Sequence, residues 1–208
     1  HKVQCSRIDT RVLHDFSGRL RTLKWQVKAF VHDGEVIALN PVESRHLGLA
    51  VDVGTTKIAG YLVDLADGKT LASAGVMNPQ VSYGEDVITR IGRAKSSSQE
   101  AAKMQELVVT ALNQIVIDLC SRVGAKTEEI VEAVVVGNTA MHHLFARLPV
   151  AQLGLAPYVP AVSGALDVKA HEVGLTIAPG AYVHLLPNIA GFVGADLAAG
   201  LLAIDALK

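Results

Sequence analysis

The sequence predicts an α/β fold, and three observations support this prediction. Half of the residues are apolar but only 4% are aromatic, so Ala, Val, Leu and Gly supply the hydrophobicity, as they do where helices pack closely on a sheet. Apolar residues at three- and four-residue spacing predict a long amphipathic helix over residues 99–122. The β-branched run at 133–136 is typical of a strand that is buried on both faces.

The first 46 residues are predicted to be a short β-rich segment. Polar and apolar residues alternate over 19–28, which predicts a strand, and a turn sequence at 32–35 precedes a second strand at 36–39. Pro41 and the charged residues after it then mark a boundary. We therefore expect a short β-rich segment in residues 1–46 and a second unit in residues 47–208.

The second unit is predicted to begin with an antiparallel meander and to continue with alternating helices and strands. The meander is expected because short turns separate three strand-like runs, at 47–51, 58–64 and 70–76. The later elements are a helix starting within 82–86, the helix 99–122, the strand 133–136 leading into a helix, an irregular stretch over 148–181, a strand at 182–186 and a Gly- and Ala-rich helix at 192–206.

The composition argues against nucleic acid and membranes as partners. Nineteen basic residues against 20 acidic ones give a net charge of -1, so no overall field attracts a polyanion or an anionic membrane. The most apolar segment, 185–207, contains Asp196 and Asp205, and carboxylates are costly inside a bilayer. Cys5 and Cys120 match no disulfide framework or metal motif, which predicts ordinary thiols in the cytoplasm.

The turn at 52–57, with the sequence D-V-G-T-T-K, is the strongest candidate for a binding site. Its Gly and two Thr residues expose backbone N–H groups and hydroxyls beside the carboxylate of Asp52, a combination that can hold a polyphosphate with magnesium or a water molecule. A plain hairpin turn explains the same six residues equally well. The turn is not a Walker A loop, because Lys57 leads into a strand and not into a helix.

A second group of polar residues stands where the strand 133–136 enters a helix. Gly137, Asn138 and Thr139 follow the strand directly, at a position where α/β proteins bind ligands. A helix cap accounts for these residues equally well. The adjacent His142 and His143 point about 100° apart on a helix, so we do not expect them to chelate one metal.

Asp86 is a further candidate, at the start of the helix predicted after residue 82. An acidic side chain in the first turn of a helix interacts favourably with the helix dipole, which contributes up to about 1 kcal/mol. From the pattern, this structural explanation of Asp86 is simpler than a catalytic one.

Five sequence blocks, found in the same order, resemble the reductive activators of corrinoid proteins. The blocks are V-D-V-G-T-T-K at 51–57, N-P-Q at 78–80, Y-G-E-D-V-I-T-R-I at 83–91, V-V-G-N-T-A-M-H-H at 135–143 and P-N-I-A-G-F-V-G-A-D at 187–196. The order of elements also resembles the first half of the actin-like (ASKHA) ATPase fold, which is ribonuclease H-like. The resemblance therefore implies that residues 47–208 are an actin-like half-domain with a mixed sheet.

The same resemblance implies a multidomain protein with an N-terminal 2Fe-2S ferredoxin domain, a linker, a small middle domain and a C-terminal ATPase domain. Members of the family use ATP hydrolysis to drive the uphill one-electron reduction of a cob(II)alamin protein to the cob(I)alamin state that methyl transfer requires. The implied cofactors are ATP and Mg, and the implied partner is a corrinoid protein. The cluster-binding cysteines are absent here, so the 2Fe-2S cluster is expected only in an N-terminal domain outside this chain, and residues 1–46 would end the middle domain. A homodimer is one oligomeric state to test.

The resemblance also assigns roles to the residues of the turn. Asp52 would organise the magnesium or the attacking water, and Gly54, Thr55 and Thr56 would meet the nucleotide phosphates. Lys57 would add a positive charge, although it begins a strand and its side chain can point away.

Further residues implied by the resemblance would face the same cleft. Asp86 and Asp196 would join Asp52 in catalysis, and Gly137, Asn138 and Thr139 would contribute to nucleotide binding. Because a second phosphate strand with a D-I-G-T-N type motif is expected after Lys208, the chain as given would hold half of an ATP site and be inactive by itself. Two alternatives stay open: a small-molecule kinase of the same fold, and a partner-binding scaffold that binds no nucleotide.

Overall fold

The computed structural model describes residues 4–204, which form two β-sheets and six α-helices. The strands are β1 (Arg7–Ile8), β2 (Lys28–His32), β3 (Glu35–Asn40), β4 (Leu47–Val53), β5 (Lys57–Asp64), β6 (Thr70–Met77), β7 (Ile130–Gly137), β8 (Leu166–Lys169) and β9 (Tyr182–Leu185). The helices are α1 (Thr10–His14), α2 (Phe16–Thr22), α3 (Val87–Ser96), α4 (Ser98–Val123), α5 (Thr139–Phe145) and α6 (Ala195–Ala203). The small sheet has the order β1-β3-β2, and the large mixed sheet has the order β6-β5-β4-β7-β9-β8.

The N-terminal segment contains two helices that the sequence prediction missed. Residues 19–22 belong to α2 and not to a strand, so the predicted strand over 19–28 is wrong and the segment is mixed rather than β-rich. An apolar residue at every fourth position places one face of α1 and α2 against the small sheet, a helical pattern that outweighs the two-residue alternation. The side chains in this contact are Val12, Phe16 and Leu20, packed with Val36 and Leu39.

The predicted antiparallel meander is confirmed by β4, β5 and β6. Val53 pairs with Ile58, so the chain reverses over residues 54–57. A side chain at Gly60 of β5 would come within 2.8 Å of Cγ2 of Ile115 in α4. The absence of a side chain at Gly60 therefore lets the long helix lie directly on the meander.

Capping residues set the limits of the two helices that follow the meander. Ser97 caps α4 by accepting the N–H of Glu100, and Gly124 ends the helix in a left-handed conformation with φ of 65°. The predicted helix 99–122 is confirmed with one residue added at each end. The start predicted within 82–86 is wrong for α3, because Pro79–Tyr83 form a 3-10 turn and the α-helix begins only at Val87.

The central strand β7 lies parallel to β4, with Val53 paired to Gly137. Its burial differs from the sequence prediction, since Ala133 and Val135 are buried whereas Val134 and Val136 are only partly buried. β-branched residues suit a strand on either face, but burial depends on which elements cover that face.

The last predicted strand, at 182–186, is confirmed as β9, and the irregular stretch before it contains the short strand β8. The last helix begins at Ala195 instead of residue 192, and its predicted end at 206 lies outside the described residues. Between residues 4 and 204, no helix combines the length and the apolar character needed to span a membrane.

Candidate phosphate-binding site

The turn between β4 and β5 directs its backbone carbonyls into the protein. Asn78 donates its side-chain Nδ2–H to the carbonyl of Gly54 at 2.8 Å and its backbone N–H to the carbonyl of Thr56 at 2.8 Å. The guanidinium of Arg90 donates to the carbonyl of Thr55 at 2.6 Å. All three carbonyl groups of residues 54–56 are therefore bound from the protein side.

The backbone N–H groups of the same three residues have no acceptor within the described part of the chain. Consecutive amide donors without a partner are the feature that binds anions in phosphate loops. Gly54 is required by space and not by its φ angle, because a Cβ atom there would lie 2.6 Å from the carbonyl oxygen of Lys57. Lys57 is exposed at the start of β5, and it forms no ion pair within residues 4–204.

The second predicted group of polar residues lies beside this turn, because parallel neighbouring strands end at the same edge of a sheet. Asn138 donates its Nδ2–H to the hydroxyl oxygen of Thr55 at 2.9 Å, and its Oδ1 accepts the N–H of Met141. Asn138 thus both caps α5 and ties the helix to the turn. Thr139 has a different contact, since its buried hydroxyl donates to the carbonyl of Ala190 at 2.6 Å.

Two glycines bring the segment before α6 against the same edge. A Cβ atom on Gly194 would lie 2.4 Å from the carbonyl oxygen of Gly137 and 2.5 Å from Cα of Asn138. Backbone contacts this short exclude any side chain at Gly194. The first turn of α6, with Asp196, is consequently held close to the end of β7 and to the turn after β4.

Two carboxylates share this region of the surface. Asp52 and Asp196 are both exposed, and Oδ1 of Asp196 accepts the N–H of Leu197. Neighbouring protein atoms exclude part of the water around the carboxylate of Asp52, and the negative charge of Asp196 acts on it as well. Both effects raise the pKa of Asp52 above its usual value. Because the negative charge of Asp196 disfavours ionisation of Asp52, a cation between the two carboxylates would relieve the repulsion.

The side chain of Asp86 caps α3. Its carboxylate accepts the N–H of Thr89 at 2.7 Å and the hydroxyl of Thr89 at 3.1 Å. These hydrogen bonds, with a smaller effect from the charge of Arg90, lower the pKa of Asp86. The structure therefore brings together Asp52, Asp196 and residues 54–56, whereas Asp86 caps α3, and its catalytic role stays a prediction.

Three residues of the site were not singled out as functional by the sequence analysis: Asn78, Gln80 and Arg90. All three are buried, and they form a connected polar network beneath the turn. The available signal was the position of Arg90 three residues after Val87 and four residues before Ala94, which puts a charged residue on the apolar face of a helix. Buried charged residues at such positions have a specific partner or a specific function.

Known proteins match this chain by sequence and by structure. The family model described as RACo middle region matches residues 47–208. The corrinoid activation enzyme RamQ of Eubacterium limosum is 35% identical over 170 residues, which are 82% of this chain and 29% of that protein. A solved structure of a reductive activator for corrinoid, iron-sulfur protein matches with a TM-score of 0.81 and 33% identity, covering 94% of this chain and 32% of that one.

The mixed six-stranded sheet and the match to the reductive activator define an α/β protein of the actin-like class. The family match begins at Leu47, which is also the first residue of β4. The chain belongs to the RACo middle region family, which confirms the resemblance to reductive activators of corrinoid proteins. It spans about a third of the length of these relatives.

Proposed function

We propose that this chain supplies one phosphate-binding face of an ATP site in a reductive activator of corrinoid proteins. The observation that carries the proposal is the turn at 54–56, whose carbonyls are bound from inside and whose N–H groups have no acceptor in the described part of the chain. This arrangement leaves donors for phosphate oxygens, which a plain hairpin turn does not require. Asn138 fixes the hydroxyl of Thr55 beside these donors.

Magnesium fits the same site through Asp52 and Asp196. Hard divalent cations prefer oxygen ligands, and magnesium commonly takes one or two carboxylates together with waters and substrate phosphates. In residues 4–204 no group of three or more His, Cys, Asp or Glu side chains is arranged to hold a metal ion, so the protein would supply at most these two carboxylates. When bound, the ion would neutralise phosphate charge next to the turn.

The nucleotide site would drive electron transfer to a corrinoid partner in the full-length protein. ATP hydrolysis would change the conformation and the affinity for the partner, and so drive the uphill reduction of cob(II)alamin to cob(I)alamin. The names of RamQ and of the reductive activator support this assignment. The 2Fe-2S cluster needs four ligands and this chain has two cysteines, of which Cys120 is buried, so the cluster ligands would lie in another domain.

Calorimetric titration of the full-length protein with Mg-ATP tests the phosphate site. We expect Asp52→Ala to weaken Mg-ATP binding about tenfold or more and to abolish turnover, because the carboxylate that holds the cation is lost. The matched control is Asp118→Ala, which removes an exposed carboxylate paired with Arg122 on α4, away from the turn. This control should bind and hydrolyse ATP as the wild type does.

Other results of the same experiment would point to different functions. Unchanged nucleotide affinity and turnover in Asp52→Ala would contradict the proposal, and absence of binding by the wild type would favour a nucleotide-free scaffold. Transfer of phosphate to a sugar or a carboxylic acid would favour a small-molecule kinase.

The corrinoid role is tested by the absorption spectrum of a corrinoid protein mixed with the full-length activator and a reductant. We expect the cob(I)alamin band to appear only with Mg-ATP and to be lost with Asp52→Ala. Reduction at the same rate without nucleotide would show that the ATP site does not drive electron transfer.

A further inference from the structure

Arg90 is a buried cation without a carboxylate partner among the residues that the structure describes. Its side chain is fully buried, and none of the ion pairs in residues 4–204 includes it. An arginine stays charged in proteins, and a buried charge is costly unless another charge compensates it. The charge of Asp86 acts on Arg90 from the start of the same helix, but that carboxylate is exposed and engaged by Thr89.

The guanidinium makes only neutral contacts, and these connect three parts of the fold. Its Nε–H donates to the carbonyl of Gly84 at 2.9 Å, and Nη1 lies 3.3 Å from both Oε1 of Gln80 and the sulfur of Met141. The remaining nitrogen, Nη2, donates to the carbonyl of Thr55 at 2.6 Å. Arg90 therefore sits directly behind the turn whose amides lack an acceptor.

Asn78 completes the support from the same side. Its Oδ1 accepts the N–H of Gln80 at 2.9 Å, while its two donors bind the carbonyls of Gly54 and Thr56. Gln80 is in turn fixed by donating to the carbonyl of Met104 at 3.1 Å. The carbonyls of residues 54, 55 and 56 are all bound by the buried network that contains Arg90. This network therefore constrains the orientation of the three peptide groups to which these carbonyls belong.

We propose that Arg90 is a positioning residue for anion binding: it holds the turn at 54–56 with its amides outward, and its charge, which forms no ion pair with a carboxylate among residues 4–204, is balanced by a polyphosphate bound on the other side. This inference rests on the proposed function, because it assumes that nucleotide phosphates are the anion. Arg90 does not itself contact the ligand, since the backbone of the turn lies between them. Its effect is to orient the donors and to add a positive potential behind them.

The test compares two arginines of α3 in the full-length protein. We expect Arg90→Met, which removes the charge and keeps an unbranched apolar side chain, to weaken Mg-ATP binding about tenfold or more in calorimetric titration. The matched control is Arg93→Met, because Arg93 lies one turn further on, is exposed, and stacks over Tyr83 at 5.9 Å without touching the turn. This control should bind Mg-ATP as the wild type does.

The charge effect is separated from simple support of the turn by varying the salt concentration. Salt screens charge–charge attraction, so removing the charge of Arg90 should make the affinity for Mg-ATP less dependent on salt than it is in the wild type. A turn that is merely disordered would lower the affinity but leave its salt dependence as it is in the wild type. An unchanged salt dependence in Arg90→Met would therefore overturn the electrostatic part of the proposal.

Arg90→Lys keeps the charge and loses the planar fork, so its affinity for Mg-ATP should lie between those of the wild type and Arg90→Met. If Arg90→Met does not fold, Arg90→Lys decides, because wild-type affinity in that variant would contradict a positioning role. Wild-type affinity in Arg90→Met would overturn the inference and leave the ATP site intact. Failure of the wild type to bind Mg-ATP would instead overturn the proposed function.

Discussion

Single glycines determine whether the elements around the candidate site can meet. Gly54 allows the turn to fold back on the carbonyl of Lys57, and Gly194 lies against the backbone of Gly137 and Asn138. At these positions the reason for glycine is close approach, since neither residue has a positive φ angle. The absence of a side chain at Gly54 and Gly194 adds no contact of its own, but it lets Asp196 approach Asp52.

Gly194→Ala is expected to destabilise the fold by about 1–3 kcal/mol, because the added Cβ would overlap backbone atoms that cannot rotate away. The matched control is Gly200→Ala within α6, where, apart from the backbone of the helix itself, no atom of residues 4–204 lies within 4 Å of the new Cβ, and the higher helix propensity should stabilise by about 0.5–1 kcal/mol. Urea denaturation measures both. Equal stabilities of the two variants would show that the segment before α6 is not packed on β7 as described.

At the scale of an element, α5 is notable because all seven of its residues are buried, two histidines among them. Nε2 of His143 accepts the N–H of Ala161, so the ring proton is on Nδ1 and is donated to the carbonyl of Thr139 at 2.8 Å. Nε2 of His142 is buried with no partner among the described residues. Burial, with the charge of His143, lowers the pKa of His142 to about 4, and burial also lowers that of His143.

These histidines should make the protein less stable in mild acid. Below the unfolded pKa of about 6.5, His142 takes up a proton in the unfolded chain that it does not bind in the folded chain until about pH 4, so the free energy of unfolding falls across this window. The lowered pKa of His143 acts in the same direction. Each such histidine adds a slope of up to about 1.4 kcal/mol per pH unit.

Urea denaturation between pH 7 and pH 4.5 measures this slope. It should be smaller in His142→Phe, which cannot be protonated at this position. An equal slope in wild type and His142→Phe would mean that His142 is not buried in its neutral form.

At the scale of the whole molecule, one lysine joins the small sheet to the edge of the large one. Nζ of Lys169, on β8, lies 2.9 Å from Asp9 and 2.6 Å from Glu35, and 3.9 Å from the centre of the Tyr182 ring. Burial raises the pKa of both carboxyl groups, but the hydrogen bonds and charge of Lys169 outweigh this effect, so both pKa values lie below the ordinary ones. The cluster therefore fixes the N-terminal segment against the sheet that carries the site.

Lys169→Met is expected to cost about 3 kcal/mol or more near pH 7, because it leaves the buried carboxylate of Asp9 and the partly buried carboxylate of Glu35 close together without a cation. The stability that the ion pairs provide is present above the unfolded carboxyl pKa values of about 4 and is lost as the pH falls through the lower folded values. The difference between wild type and variant should therefore shrink in acid. Thermal unfolding at pH 7 and at about pH 3, which lies below the unfolded carboxyl pKa values, measures it.

Lys69→Met is the matched control for this prediction, since it breaks an exposed pair with Asp67 and should change stability by less than about 1 kcal/mol. A Lys169→Met variant as stable as this control would show that the cluster does not join the two sheets.

The sequence by itself determined the elements whose signal is local. The meander, the long helix α4 and the strand β7 follow from apolar spacing and from turn and cap residues within a few positions. Helices α1 and α2 were missed because a two-residue alternation overlaps the four-residue spacing, and only packing against the small sheet decides between them. The alternation of buried and partly buried residues in β7 likewise depends on elements distant in sequence.

The turn at 52–57 could be recognised from its residues, but only the tertiary structure decided which way its peptide groups point. The carbonyl of Thr55 is bound by Arg90, 35 residues away, and its hydroxyl by Asn138, 83 residues away. Contacts at such separations leave no local pattern, because the residues meet only after β4, β7 and α3 have packed. The sequence therefore determined that a Gly-Thr-Thr turn forms, and the packed fold determined that its carbonyls point into the protein and that its amides have no acceptor among residues 4–204.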